Sequence, residues 1–403
     1  MSIKETKALL KFTFLNFLDK GLNFLLPLAI LLFFQDNLIY NEIEYVLSVA
    51  LILATFADLG FRSYLFYGYK ESVGREEYFL SRTSKVFNTL FLLYVLSTVL
   101  IATSIYFVNH PVSKMTAGYI GLRFIYIFFT NYKSVIYRFD DKPSRLFRWT
   151  IPGTILSLLL LLTVFKAGWV LRLDYFFFGS AVVLLVFFLK DFRIGSMADL
   201  TLLKSYFFKV ISYSWPLILN GAMVSVVNNF GKIYAFNSLS DSEMSEISLM
   251  LRIGMIIQLA HLSSMTFFSK KLFLSKSVKE SRRTLGVYLF TLLAGCSMAC
   301  VLYILFINLD IKGLTISFRY SHLLVLLFFL LSSIASYFEV YLNKNNRNIF
   351  IPLVSFLGIC SYASVFVFVS SISVDVIIKA MSIGGLISLL SIVILIRKFK
   401  LFV

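Results

Sequence analysis

The sequence predicts an all-α polytopic membrane protein of about twelve transmembrane helices in two six-helix lobes, with both termini in the cytoplasm. Three observations predict it. Twelve apolar stretches are long enough to cross hydrocarbon, which takes about 20 mostly apolar residues. The composition is 59% hydrophobic, 17% aromatic and only 15% charged, so a soluble globule would lack the polar surface to cover itself. Lys and Arg gather at the termini and in every second gap.

The first span, 9–34, follows Lys4, Lys7 and Lys11; it is too long for a signal-peptide core and is expected to stay as an uncleaved anchor. The second, 43–67, enters after Asp36 and Glu42 and leaves at Lys70 and Arg75. Span 86–108 follows Arg82 and Lys85, and span 115–137 runs from Lys114 to Arg138. Spans 147–165 and 175–189 enclose Lys166 and Arg172, and the second of them ends at Lys190 and Arg193. Span 210–236 follows Lys204 and Lys209 and leads to the acids Asp241, Glu243 and Glu246. Span 247–268 ends at Lys270 and Lys271, and span 284–307 follows Arg282 and Arg283. The last three, 322–342, 349–370 and 374–396, are flanked by Lys344, Arg347 and Arg397.

Of the 38 basic residues, 27 fall in the even gaps and at the termini and six in the odd gaps. Cytoplasmic loops collect Lys and Arg, so both termini are placed inside, as in a multi-pass protein of a bacterial inner membrane. That bias accounts for most of the net charge of +17, and no nucleic-acid partner is implied. The gap 190–209 is the longest on the cytoplasmic side. It divides the chain into an N-terminal lobe, 1–190, a linker, 191–209, and a C-terminal lobe, 210–403. Aromatic helix ends followed by polar turns and an early proline, Pro152 or Pro352, recur about 200 residues apart and suggest parallel repeats. Cys296, Cys300 and Cys360 lie inside spans and are expected to pack as small residues; no metal site and no cofactor is expected.

With residues at the edge of a span counted in the adjoining gap, five basic residues remain inside spans: Lys20, Arg62, Arg123, Lys232 and Arg252. A charge at mid-bilayer costs at least about 2.5 kcal/mol and usually faces a cavity or partner. Asp19, Asp58 and Glu339 oppose them. In the fourth span Tyr119, Arg123, Tyr126, Thr130, Lys133 and Tyr137 recur at helical spacing, a stripe suited to sugars and phosphate. The first span collects Asn16, Lys20 and Asn23, and the seventh Gly221, Ser225, Asn228 and Lys232. Each has a plainer reading: Asp58 and Arg62 neutralise each other, Arg62 and Glu339 snorkel, Lys20 is held by Asp19, and His261 packs with Gln258 as partner. No catalytic constellation is present.

Ala57-Asp58-Leu59-Gly60-Phe61 near the end of the second span, Ser214-Trp215-Pro216 opening the seventh and Leu251-Arg252-Ile253 in the eighth resemble motifs of the Wzx-type polysaccharide repeat-unit flippases of the multidrug, oligosaccharidyl-lipid and polysaccharide exporter superfamily. The resemblance implies a two-lobed bundle that moves an undecaprenyl-diphosphate-linked oligosaccharide, an O-antigen or capsule unit, between leaflets by alternating access. It implies a cationic lumen, fitted here by Lys20, Arg62, Arg123, Lys232 and Arg252 with Tyr119 and Tyr126. It also implies protons or another ion as counter-transported species, with Asp19 and Asp58 as coupling groups, and a polymerase and chain-length regulator as pathway partners. The chain departs from the family pattern at Asn228-Asn229-Phe230-Gly231-Lys232 and at Ser245-Glu246-Ile247. A multidrug exporter of the same superfamily is the alternative reading, and a membrane polysaccharide polymerase a more distant one.

Overall fold

The computed structural model describes residues 3–57, 60–72, 74–106, 111–139, 143–191, 196–274, 278–308, 319–345, 347–369 and 371–399. Among them the regular structure is all helical: α1 (Ile3–Ala29), α2 (Asn37–Ala57), α3 (Phe61–Glu71), α4 (Glu76–Tyr106), α5 (Pro111–Phe139), α6 (Phe147–Lys166) and α7 (Leu173–Asp191) come first. Then follow α8 (Leu200–Ser238), α9 (Asp241–Leu274), α10 (Val278–Ile307), α11 (Tyr320–Lys344), α12 (Ile351–Val367) and α13 (Val374–Lys398). Eleven helical segments among the described residues are long and apolar enough to cross a membrane. Large apolar side chains stay exposed along them, as at Leu96, Val99 and Leu100 on α4 and Phe290, Leu293 and Val301 on α10. A bilayer is the solvent that covers such a surface, and the protein is a multi-pass membrane protein.

Two predicted spans come out differently. The second, expected to run unbroken over 43–67, is interrupted at Gly60, whose φ of 65° lies in the left-handed region, so that α3 starts afresh at Phe61. Glycine alone takes that conformation without cost. The fourth span forms α5 but is not among the eleven apolar segments. Its physical reason is position: Ile125, Phe128, Phe129, Tyr132 and Val135 are buried in a core with Phe87 and Phe91 of α4 and Phe187 of α7. A helix wrapped by protein can carry Arg123, Thr130 and Asn131 without showing them to lipid.

α1 also bends. Pro27 lacks the amide that would bond back along the helix, and the chain passes into a π-turn at Ile30–Phe34 before Gln35 takes a φ of 53°. Cys300 and Cys360 are exposed and Cys296 is half-buried, so the thiols do not fill a core as expected. A small apolar thiol is as well accommodated against lipid as against protein.

The chain forms two compact units. One comprises Met1–Phe24, Gln35–Glu42 and Leu219–Val403, the other Leu25–Phe34 and Ile43–Ile218. In the second unit, Phe87 stacks on Tyr132 with ring centroids 3.6 Å apart and Phe129 meets Phe187 at 4.7 Å. In the first, α9 packs against α10 and α11, and α13 against α11 and α12; Tyr288 stacks on Tyr337 at 4.4 Å. Lipid tails are as apolar as leucine, so this packing, more than any flight from water, holds the helices together.

The same close crossing occurs in each unit. Gly153 of α6 lies against Gly179 of α7, and Gly358 of α12 against Gly384 of α13, so near that an added Cβ would meet the opposite backbone carbonyl. Both members of the second pair lie 205 residues beyond those of the first. A serine accompanies each crossing: Ser157 Oγ accepts from the Gly179 amide at 2.8 Å, and Ser388 lies beside Gly358. Small residues let backbones approach in this way, and the shared offset favours two copies of one helical plan.

Candidate functional site

Two of the three sequence motifs meet in the second unit. Gly60 gives its carbonyl to Ser214 Oγ at 2.9 Å, and Ser214 is wholly buried. The backbone of Gly60 runs so close to Ser214 that no Cβ could be placed between them. Phe61 then turns into the core against Tyr132 and Tyr206, at 5.9 and 5.8 Å. The left-handed glycine thus fixes both the break between α2 and α3 and the seating of α3 on α8. Asp58 lies outside the described residues; Arg62 is the second residue of α3, and its side chain is likewise outside them.

On α5, the Arg123 guanidinium lies over the Tyr126 ring, 5.2 Å from its centroid. Tyr126 is buried and Tyr119 stacks on Phe177 of α7 at 5.4 Å. Thr130 returns its hydroxyl to the Tyr126 carbonyl at 2.8 Å, and Lys133 lies over Phe129 at 5.5 Å. The stripe predicted for this helix is therefore a set of aromatic contacts with the half-buried Arg123 among them.

The first unit holds Asp19, Lys20, Lys232 and Arg252. Asp19 is buried, with Oδ2 3.6 Å from the Lys20 ammonium, and its Oδ1 has no hydrogen-bond partner among the described residues. Lys20 itself is half exposed. Around them Asn23 donates to the Asp19 carbonyl at 2.8 Å and Asn16 donates to Ser263 Oγ at 2.7 Å. Lys232 and Arg252 are both buried and engage partners within the fold. Of the five cations read from the sequence, Lys20 and Arg123 are thus the two whose described side chains retain exposure; they belong to different units.

Sequence reasoning missed a polar network in the first unit. Asp241, Glu243 and Glu246 were expected in a loop; α9 instead begins at Asp241, and Glu246 is buried at its second turn. His322 Nε2 lies 2.9 Å from Glu246 Oε1, and Tyr303 Oη lies 2.9 Å from His322 Nδ1. The Arg319 guanidinium reaches the same carboxylate at 3.5 Å from a half-exposed position. One proton arrangement satisfies every member: Tyr303 donates to Nδ1, and Nε2–H donates to Glu246. Ser321 donates to Asp375 of α13 at 2.6 Å, beside this network. The available signal was an acid and a histidine, each at the opening of a span, in the eighth and the tenth.

His261 pairs with Tyr288 at 2.7 Å, and not with Gln258. Because the Tyr288 hydroxyl proton goes to the Ser333 carbonyl at 2.7 Å, His261 must be the donor through Nδ1, which makes it a packed polar residue. Glu339 does not snorkel away but accepts from Asn220 Nδ2 at 3.4 Å, and Asn220 Oδ1 in turn accepts from Ser355.

No protein-family model matches the sequence, and no curated protein matches it. Solved structures do. The chain superposes on the inward-facing conformation of a multidrug resistance MATE family transporter of the MOP superfamily with a TM-score of 0.57, at 12% identity over 96% of this chain and 94% of that one. It superposes on MATE in the straight conformation with a TM-score of 0.56, at 12% identity over 98% and 96% of the two chains. The fold is therefore of the MATE type.

Proposed function

We propose that this protein is a membrane transporter that works by alternating access and moves an anionic amphiphile, a diphosphate-linked lipid oligosaccharide, from one leaflet to the other without covalent chemistry. The observation that carries the anionic cargo is the pair of cations that keep exposure inside spans, Lys20 on α1 and Arg123 on α5. A diphosphate leaving water needs charged donors, and the half-buried Arg123 offers a fork for phosphate. Asp19, buried beside Lys20, is the group proposed to exchange a proton or another ion against the cargo. The bacterial inner membrane, with both termini inside, is the proposed setting.

A second reading, export of cationic drugs, is supported by the likeness to a multidrug resistance transporter. The fold favours it more than it favours the lipid cargo. The buried acids Asp19 and Glu246 and the half-buried Glu339 would also suit it.

Arg123→Ala separates the two. Loss of one charge-assisted contact is expected to reduce surface polysaccharide about tenfold or more at unchanged protein abundance. Normal polysaccharide in that variant contradicts the lipid-cargo reading, and resistance to cationic dyes that depends on Asp19 supports the other.

A further inference from the structure

The first turns of α8 form one wall of a cavity of about 330 Å³, closed by Phe61 of α3 and by Val86 and Leu90 of α4. It lies wholly within the second unit. Its exposure is graded. Phe61, Val86, Tyr206 and Val210 form a buried floor, whereas Leu200 and Phe207, 80% and 44% exposed, form an open mouth. Ligand pockets of roughly 300–1,000 Å³ are lined in this way, by apolar walls with few polar groups.

Only Tyr206 and Lys204 bring polar atoms to the lining. The Tyr206 hydroxyl is already engaged with Thr83 at 2.8 Å. What is left is Lys204, which is exposed. The neighbouring sequence adds more basic than acidic charge: Lys209 precedes Val210, and Arg82 and Lys85 lie within one turn of Val86, against Asp199 beside Leu200. The occupant must therefore be apolar in its body and anionic at one end. Nothing in the lining would hold a sugar, and a single lysine matches one phosphodiester.

We infer that this cavity is a lateral binding site for one acyl chain of an anionic phospholipid, with its headgroup phosphate at Lys204. An apolar-walled cavity disfavours water and suits an acyl chain, and the basic residues near it favour an anionic headgroup. The site is independent of the transported cargo and regulates or steadies the seating of α3 and α8 around Phe61.

The test uses the full-length protein in vesicles and phospholipid probes with a photoreactive group at mid-chain. A phosphatidylglycerol probe is expected to label the peptides around 200–210 and 86–90, and a phosphatidylcholine probe to label them roughly fivefold less. Lys204→Glu brings phosphatidylglycerol labelling down to the phosphatidylcholine level. Leu203→Trp, which fills the cavity, removes labelling by both. Equal labelling by the two headgroups, or unchanged labelling in Lys204→Glu, overturns the inference. So does displacement of the probe by an equimolar polyprenyl phosphate, which would make the cavity a seat for a carrier lipid.

Discussion

Gly60→Ala is expected to destabilise the protein by about 2–5 kcal/mol, the sum of a left-handed backbone penalty and the strain of an overpacked contact. The methyl group has no place to go, because the φ of 65° is fixed by the restart of α3 and Ser214 occupies the space a Cβ needs. The two costs can be separated. Ser214→Gly in the same chain removes the closest overlap but leaves the strained φ and the contact with Ile218 and loses the Ser214 hydrogen bond, so the double variant is expected to recover part of the packing cost. Thermal unfolding in detergent, followed by tryptophan fluorescence, reads both effects. A Gly60→Ala protein that melts with the wild type shows that the break in the second span is not rigid.

Glu246→Ala carries the second large effect. Removing the acceptor of a buried hydrogen bond costs about 1–3 kcal/mol, because the donor is left unsatisfied. Here His322, fully buried, would lose the acceptor of its Nε2–H and Tyr303 would be left holding an unanchored ring. Glu246→Gln keeps an acceptor oxygen at the same reach and is expected to cost much less. Arg319→Ala should matter little, since its side chain is 44% exposed and water screens such pairs. That order, Ala at Glu246 far worse than Gln and Gln worse than Ala at Arg319, is read from melting midpoints. Equal effects at all three contradict the network.

The all-helical membrane architecture was legible in the sequence because length and apolarity are summed over some twenty residues, and no single position can hide them. The break at Gly60 was not, since one glycine in a long apolar run is compatible with a continuous helix until Ser214 arrives from more than 150 residues away. The start of α9 was misplaced for a related reason: three acids before a span read as a loop, yet Glu246 is compensated by His322 and Arg319, partners remote in sequence. α5 shows the converse. Its helical stripe was legible, but whether Tyr126 faces a passage or a neighbour depends on packing in the core of its unit.

The candidate site was legible as chemistry and not as geometry. Five cations stand inside spans in the sequence; the structure buries Lys232 and Arg252 among partners and leaves Lys20 and Arg123 with exposure. In the sequence a repeat was suggested by aromatic helix ends, polar turns and paired prolines, while a further sign, matched glycine crossings 205 residues apart, needs the helices to be packed before it can be seen.

The most direct test of the proposed function is leaflet exchange in proteoliposomes. A fluorescent lipid diphosphate bearing a short oligosaccharide is placed in both leaflets, and the fraction reached by an impermeant quencher is followed with time. Wild-type protein is predicted to bring the inner-leaflet pool into reach, and Lys20→Ala together with Arg123→Ala to abolish that exchange without loss of reconstituted protein. Exchange no faster than in empty vesicles, with uptake of a cationic dye by the same wild-type preparation, would contradict it.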